Sequence, residues 1–205
     1  MKVITAPEII SDIEDDEIVI FLAGGITNCQ DWRKSVISNL NKVYENDDRV
    51  VIFNPRRERF NEAETFKQIK WEFDAINECD IFGMFFCDSK SIQPICMYEL
   101  GKQLSYCKYR FGKNEKIIHT LIGVEEEYSR KEDVIIQSNL MGYPVDILRG
   151  SKEQRYEDFA NKIAFRINSL LWGDYVIYIM DFVDSRVRNL FYYFVNDIFV
   201  SYMVF

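Results

Sequence analysis

The run Glu17-Ile-Val-Ile-Phe-Leu-Ala23, halted by Gly24-Gly25, constrains this chain more than any other feature. After Glu17 it has no polar position to turn toward water, and it is rich in β-branched residues. Such a run suits a strand buried on both faces of a parallel sheet, feeding a tight turn. A helical pattern follows from Thr27 or Asn28, either a good N-cap, with Trp32, Val36, Ile37 and Leu40 on one face. The unit then repeats. Val50-Val-Ile-Phe53 closes on Asn54-Pro55, and a loop with Arg56, Arg57 and Arg59 leads to a helix carrying Phe66, Ile69, Phe73 and Ile76. A strand at Ile81 to Phe86 precedes a helix from about Pro94 to Tyr106. Further on come a strand from about Lys116 to Val124, a helix near Asp133 to Leu140, a short strand at Val145 to Leu148, and a helix from about Lys152 to Leu171. Strands alternating with helices imply right-handed crossovers and a doubly wound α/β sheet of about five parallel strands, helices on both faces.

The first fifteen or so residues are acidic and weakly patterned, and are expected to form a flexible lead-in. The tail after Trp172 leaves the strand–helix rhythm and is dense in Tyr, Phe, Val and Ile. Expected domains are therefore an α/β domain over 1–171 and an aromatic extension over 172–205. Exposed apolar surface on that scale marks an interface, so the extension should pack on the core or on a second subunit of a homo-oligomer. Asp181, Asp184, Arg186, Arg188 and Asp197 interrupt it, and its uncharged runs fall short of the ~20 residues a membrane span requires.

A net charge of −8 argues against a nucleic-acid polymer or a membrane surface as partner, since both recruit cationic faces. A small neutral or zwitterionic substrate fits better. The five cysteines form no CxxC, and with His119 as the single histidine there is no zinc set; no metal and no cofactor is expected. Their odd number, with no cationic leader, fits a reducing, cytoplasmic setting.

Ligands of open parallel sheets bind beyond the carboxyl ends of the strands. Four polar clusters fall there: Gly24 to Asn28, Asn54 to Arg57, Asp88-Ser89 with the helix beyond, and Glu125 to Arg130. Gly24 and Gly25 allow a ligand to approach the backbone, although a plain tight turn explains them equally well. The turn meets neither GxGxxG nor a P-loop. In Pro94-Ile-Cys-Met-Tyr-Glu99-Leu-Gly101, Ile95 and Tyr98 share a helix face and Glu99 sits in the second turn among apolar neighbours. It is either a functional carboxylate or one half of a structural ion pair. Glu72 and Asp74 point to different sides of the preceding helix, so one of them can face the same cleft. Paired carboxylates are what glycosyl transfer requires.

Phe21-Leu-Ala-Gly-Gly-Ile26 with Asp31-Trp32, Phe53-Asn-Pro-Arg-Arg57, Gln68-Ile-Lys-Trp-Glu72, Cys79-Asp80, Pro94 to Gly101, and pieces of Gly123 to Gln137 together resemble the nucleoside 2-deoxyribosyltransferase-like proteins, over about residues 17 to 148. The resemblance implies a flavodoxin-like, Rossmann-like sheet and oligomers that share active sites. It implies an enzyme that breaks the N-glycosidic bond of a (deoxy)nucleoside, holds the sugar on a glutamate, and passes it to another base or to water. Carried over, the nucleophile is Glu99 and the acid at the leaving base is Glu72. Gly24 and Gly25 line the sugar side, and Asp88 contacts a sugar hydroxyl. Two positions depart from the family: Phe21 stands where a tyrosine positions the nucleophile, and Gln93 stands near an aspartate that holds a sugar hydroxyl.

Asn54, Arg56, Gln93 and Tyr98 complete the expected substrate-binding set. Arg56 and Arg57 have two readings, a grip on a 5′-phosphate or ion pairs with Glu58, Glu62 and Glu64. A retaining mechanism would hold the two carboxyls roughly 5–5.5 Å apart, with Glu99 kept ionised by its helix N-terminus. The alternatives are a hydrolase of nucleotides or NAD-like N-glycosides, and a nucleotide-sensing module without turnover.

Overall fold

The computed structural model describes residues 1–10, 13–59, 62–110 and 117–172. Its elements run β1 (Lys2–Thr5), β2 (Ile18–Gly24), α1 (Trp32–Tyr44), β3 (Val50–Asn54), α2 (Thr65–Glu78), β4 (Ile81–Phe86), α3 (Pro94–Arg110), β5 (His119–Glu125), α4 (Lys131–Leu140), β6 (Asp146–Leu148) and α5 (Lys152–Trp172). The sheet has six strands in the order β1-β3-β2-β4-β5-β6, and every pairing is parallel. Setting β1 aside, that is the flavodoxin order, with the reversal of strand order falling between β2 and β4. Residues 1–167 form one compact unit. The aromatic extension expected over 172–205 lies outside the described residues from 173 onward.

Alternation along the strands divides the core in two. Phe21, Ala23, Phe82, Met84 and Phe86 face the side that also holds Trp71 and Ala75 of α2, Leu100 and Leu104 of α3, and Val134 of α4. On the other side Phe85 stacks on Trp32 of α1, with centroids 4.8 Å apart, and meets Phe159 of α5 at 5.2 Å. Helices thus cover both faces, as the buried strands require.

Three expectations need correction. Lys2–Thr5 is not a flexible lead-in: it pairs with β3 from Lys2↔Val51 to Thr5↔Asn54 as an edge strand, and Lys2 ion-pairs with Glu17. Four residues with an outward lysine are what an edge tolerates, and they are too few to show a period in the sequence. Helix α1 starts later than Thr27 or Asn28, because Asp31 caps it through Lys34 N. The third concerns α2, which turns Phe66, Ile69 and Phe73 outward, each more than half exposed, and buries Gln68, Trp71 and Ala75. Of the four apolar residues expected on its face, Ile76 packs against the core.

Candidate active site

Gly24 ends β2 in register with Phe85 of β4, at the reversal point of the sheet. Its φ is +139°, and a Cβ there would strike the Phe85 carbonyl, so only glycine fits. Arg33 braces the turn from below. Its side chain is fully buried and donates from Nε to Leu22 O at 2.8 Å, from Nη1 to Gly25 O at 3.0 Å and from Nη2 to Gly24 O at 2.8 Å. Its guanidinium carbon lies 4.4 Å from the centroid of the Trp32 ring. Burial lowers its pKa to about 10, which still leaves it charged at neutral pH. Sequence reasoning passed over Arg33; an arginine directly after the capping Asp31-Trp32 pair was the available signal.

Above this turn lies a cleft of about 340 Å³, lined by Gly24, Gly25, Arg33, Glu72, Gln93, Cys96 and Glu99 among others, with Phe21 and Pro94 as apolar wall. The volume is in the range of small-molecule sites. Glu72 reaches it from α2 and accepts from Gln68 Nε2 at 2.7 Å, one helical turn earlier. The same Gln68 nitrogen donates to Pro55 O at 2.9 Å, which ties α2 to the end of β3. Glu99 reaches it from the second turn of α3.

Burial and then the neighbouring Glu72 push the Glu99 carboxyl up to about 7, against Arg33 and Lys102, which favour its charge. Burial likewise raises Glu72. Against the helix N-terminus expected to keep Glu99 ionised stand its desolvation and the like charge of Glu72. Beside it, burial and Glu99 lift the Cys96 thiol to about 12, leaving it inert.

Gln93 is held in the left-handed region, φ +49°, just before α3. A non-glycine residue there costs on the order of 1 kcal/mol. Ser91 Oγ accepts from its backbone N–H at 3.1 Å, and its Nε2 donates to Cys87 O at 2.7 Å. Oε1 is buried with no hydrogen-bond partner, and a Cβ on Gly25 would crowd it at 2.5 Å. Gly25 is thus needed to leave room for Gln93. Phe21, where the family has a tyrosine, is buried and stacks on Phe82 at 6.0 Å, so it brings no hydroxyl.

Of the expected site residues, the cleft brings together Glu99, Glu72, Gly24, Gly25 and Gln93. It does not include Asn54, Arg56, Asp88 or Tyr98. Tyr98 is 69% exposed on the outer side of α3. Asp88 is exposed, and its backbone N–H donates to Glu125 Oε2 at 2.5 Å. Asn54 and Arg56 line a second cavity across Pro55, together with Arg57. There Arg57 pairs with Glu64 at 2.7 Å and Arg56 with Asp31 at 3.6 Å, so the ion-pair reading of the arginines holds in part, with Asp31 as the unforeseen partner. Among the described residues no group of three His, Cys, Asp or Glu could hold a metal ion, and no helix is long and apolar enough to cross a membrane.

No curated protein matches the chain significantly. A family model described as nucleoside 2-deoxyribosyltransferase like matches residues 17–115, which run from β2 through α3. That match stops before Gly123 to Gln137, yet it contains the glycine turn, Gln93 and both cleft carboxylates. Over residues 17–115, the stretch that builds the cleft, the chain is thus similar to the nucleoside 2-deoxyribosyltransferase-like family.

Proposed function

We propose that the chain is an enzyme that cleaves the N-glycosidic bond of a (deoxy)nucleoside or nucleotide and passes the sugar to another base or to water. The observation that carries this reading is the pair Glu72 and Glu99: two carboxyls in one small cleft, both raised by burial, with Glu99 poised near 7. Burial raises both carboxyls and the charge of Glu72 raises Glu99 further, so the pair favours sharing one proton, which a bound substrate would have to place on Glu72 for Glu99 to attack.

In the proposed reaction, Glu99 as carboxylate attacks C1′ and the C1′–N bond breaks. The bond's electron pair leaves with the base, which takes the proton from Glu72. The sugar is then an ester on Glu99. In the second step a nitrogen of an incoming base, or water, attacks C1′; its proton goes to Glu72 and Glu99 is released. Arg33, through its carbonyl contacts, holds the glycine turn against which the sugar packs. The free Oε1 of Gln93 accepts from a sugar hydroxyl. The anomeric configuration is retained over the two steps.

The test is chromatography of a nucleoside and nucleotide panel after incubation with wild type and with Glu99→Gln. Free base is expected with wild type and not with the variant. Near-normal release by a folded Glu99→Gln protein, or an inverted product, would overturn the assignment of Glu99 as nucleophile.

A further inference from the structure

The second cavity carries a separate observation. It measures about 930 Å³ and is lined by Thr5, Asn54, Arg56, Arg57, Arg59 and Lys34 among others, beyond the carboxyl ends of β1 and β3. The Arg57 side chain is only 5% exposed. Its Nη1 donates to Glu64 Oε2 at 2.7 Å, whereas Nε and Nη2 are buried with no hydrogen-bond partner. A guanidinium cannot shed its charge at physiological pH. Two buried donors on it without acceptors cost on the order of 1–3 kcal/mol. Moreover, the two unpaired nitrogens are neighbours on one edge of the fork, the edge that presents two parallel N–H groups to two oxygens of one anion.

We infer that this second cavity binds a phosphoryl group, gripped side-on by the Nε and Nη2 edge of Arg57. The lining balances Lys34, Arg56, Arg57 and Arg59 against Glu8, Asp31, Glu58 and Glu64, so no broad positive field gathers anions there. Attraction is local to the fork and demands a ligand with closely spaced oxygens. A phosphoryl group has a third oxygen to offer the neighbouring cations, which a carboxylate lacks. The group arrives either on a nucleotide whose sugar occupies the cleft across Pro55 or as a separate phosphate. The nucleotide source rests on the proposed function; binding of phosphate itself does not.

Calorimetric titration of the full chain with inorganic phosphate, acetate, a nucleoside and its 5′-monophosphate tests this without reading turnover. Phosphate is expected to bind at about millimolar or tighter, and more tightly than acetate. Arg57→Lys, which keeps the charge and loses the fork, is expected to weaken phosphate by about tenfold or more. Glu64→Gln, which removes the competing carboxylate, is expected to tighten it by about threefold. If Arg57→Lys does not fold, Glu64→Gln decides alone. A monophosphate that displaces phosphate and binds more tightly than its nucleoside identifies the nucleotide source. Nucleoside and phosphate bound together without competition identify the separate one. Equal phosphate affinity in wild type and both folded variants, or acetate bound as tightly as phosphate, overturns the inference.

Discussion

On one side of Pro55, Glu72 and Glu99 share a cleft, and among the described residues neither is ion-paired. On the other side Glu64 and Asp31 each meet an arginine. Residue type does not separate the two sets, since both are acids on or beside the helices that follow the strands. Partners and water do. Burial lifts both carboxyls of the first pair, and Glu72 adds to the rise at Glu99; the second two each contact a guanidinium. A carboxylate that is desolvated and unpaired reduces stability and gains reactivity, whereas one held by arginine does the reverse.

The largest effect expected from breaking this contrast is chemical. Glu99→Gln should lower base release by about a thousandfold or more while circular dichroism stays native-like. In the wild type, kcat/KM should fall on the acid side of about 7, where Glu99 is protonated and cannot attack C1′, and fall again on the alkaline side, where the pair has lost the proton that Glu72 must give. A flat profile between pH 6 and 8 would break the link between its burial and its role.

Next in size is the glycine turn on which the cleft rests. Gly24→Ala places a side chain at φ +139° against the Phe85 carbonyl, and should cost about 2–4 kcal/mol in denaturant unfolding. A loss below about 1 kcal/mol would mean that the turn relaxes freely.

Smaller, and opposite in sign, is the stability effect of Glu99→Gln. The folded carboxyl is raised from 4.5 to about 7, so its charge is penalised in the fold. Below pH 4.5 both states hold the proton and the group favours neither. As pH rises toward 7 the unfolded chain gives up the proton first, and wild-type stability falls. The glutamine variant should therefore be about 1–3 kcal/mol more stable than wild type at pH 8, discounted for the partial exposure of Glu99, and equal to it near pH 4. Parallel curves at both pH values would contradict the proposed desolvation.

The smallest change is expected in the second cavity. Glu64 is 37% exposed at its side chain, so Glu64→Gln should shift stability by less than about 1 kcal/mol at neutral pH. A larger loss would show that the Arg57 pair is structural rather than a gate on the anion edge.

The strands were legible in the sequence because each is an apolar run closed by a turn residue: Ile18 to Ala23 before Gly24, Val50 to Phe53 before Asn54-Pro55, and Ile81 to Phe86 before Asp88. Their order of types made the parallel, doubly wound sheet the natural outcome, and Glu99 stood out as a carboxylate among apolar neighbours early in a helix. Tertiary structure decided the rest. Lys2 to Thr5 is too short to show a period and becomes a strand only because β3 has an open edge. Helix α2 has apolar residues on both faces, and the sheet chose Trp71 and Ala75, which carried Glu72 to the cleft and left Phe66 and Phe73 outside. Arg33 reads as a surface cation in the sequence until the turn above it supplies three carbonyls. Local sequence fixes what a segment can become, because periodicity and turn chemistry act within a few residues. Which carboxylates lose water and which find an arginine depends on segments tens of residues apart, so that was settled only when the sheet closed around them.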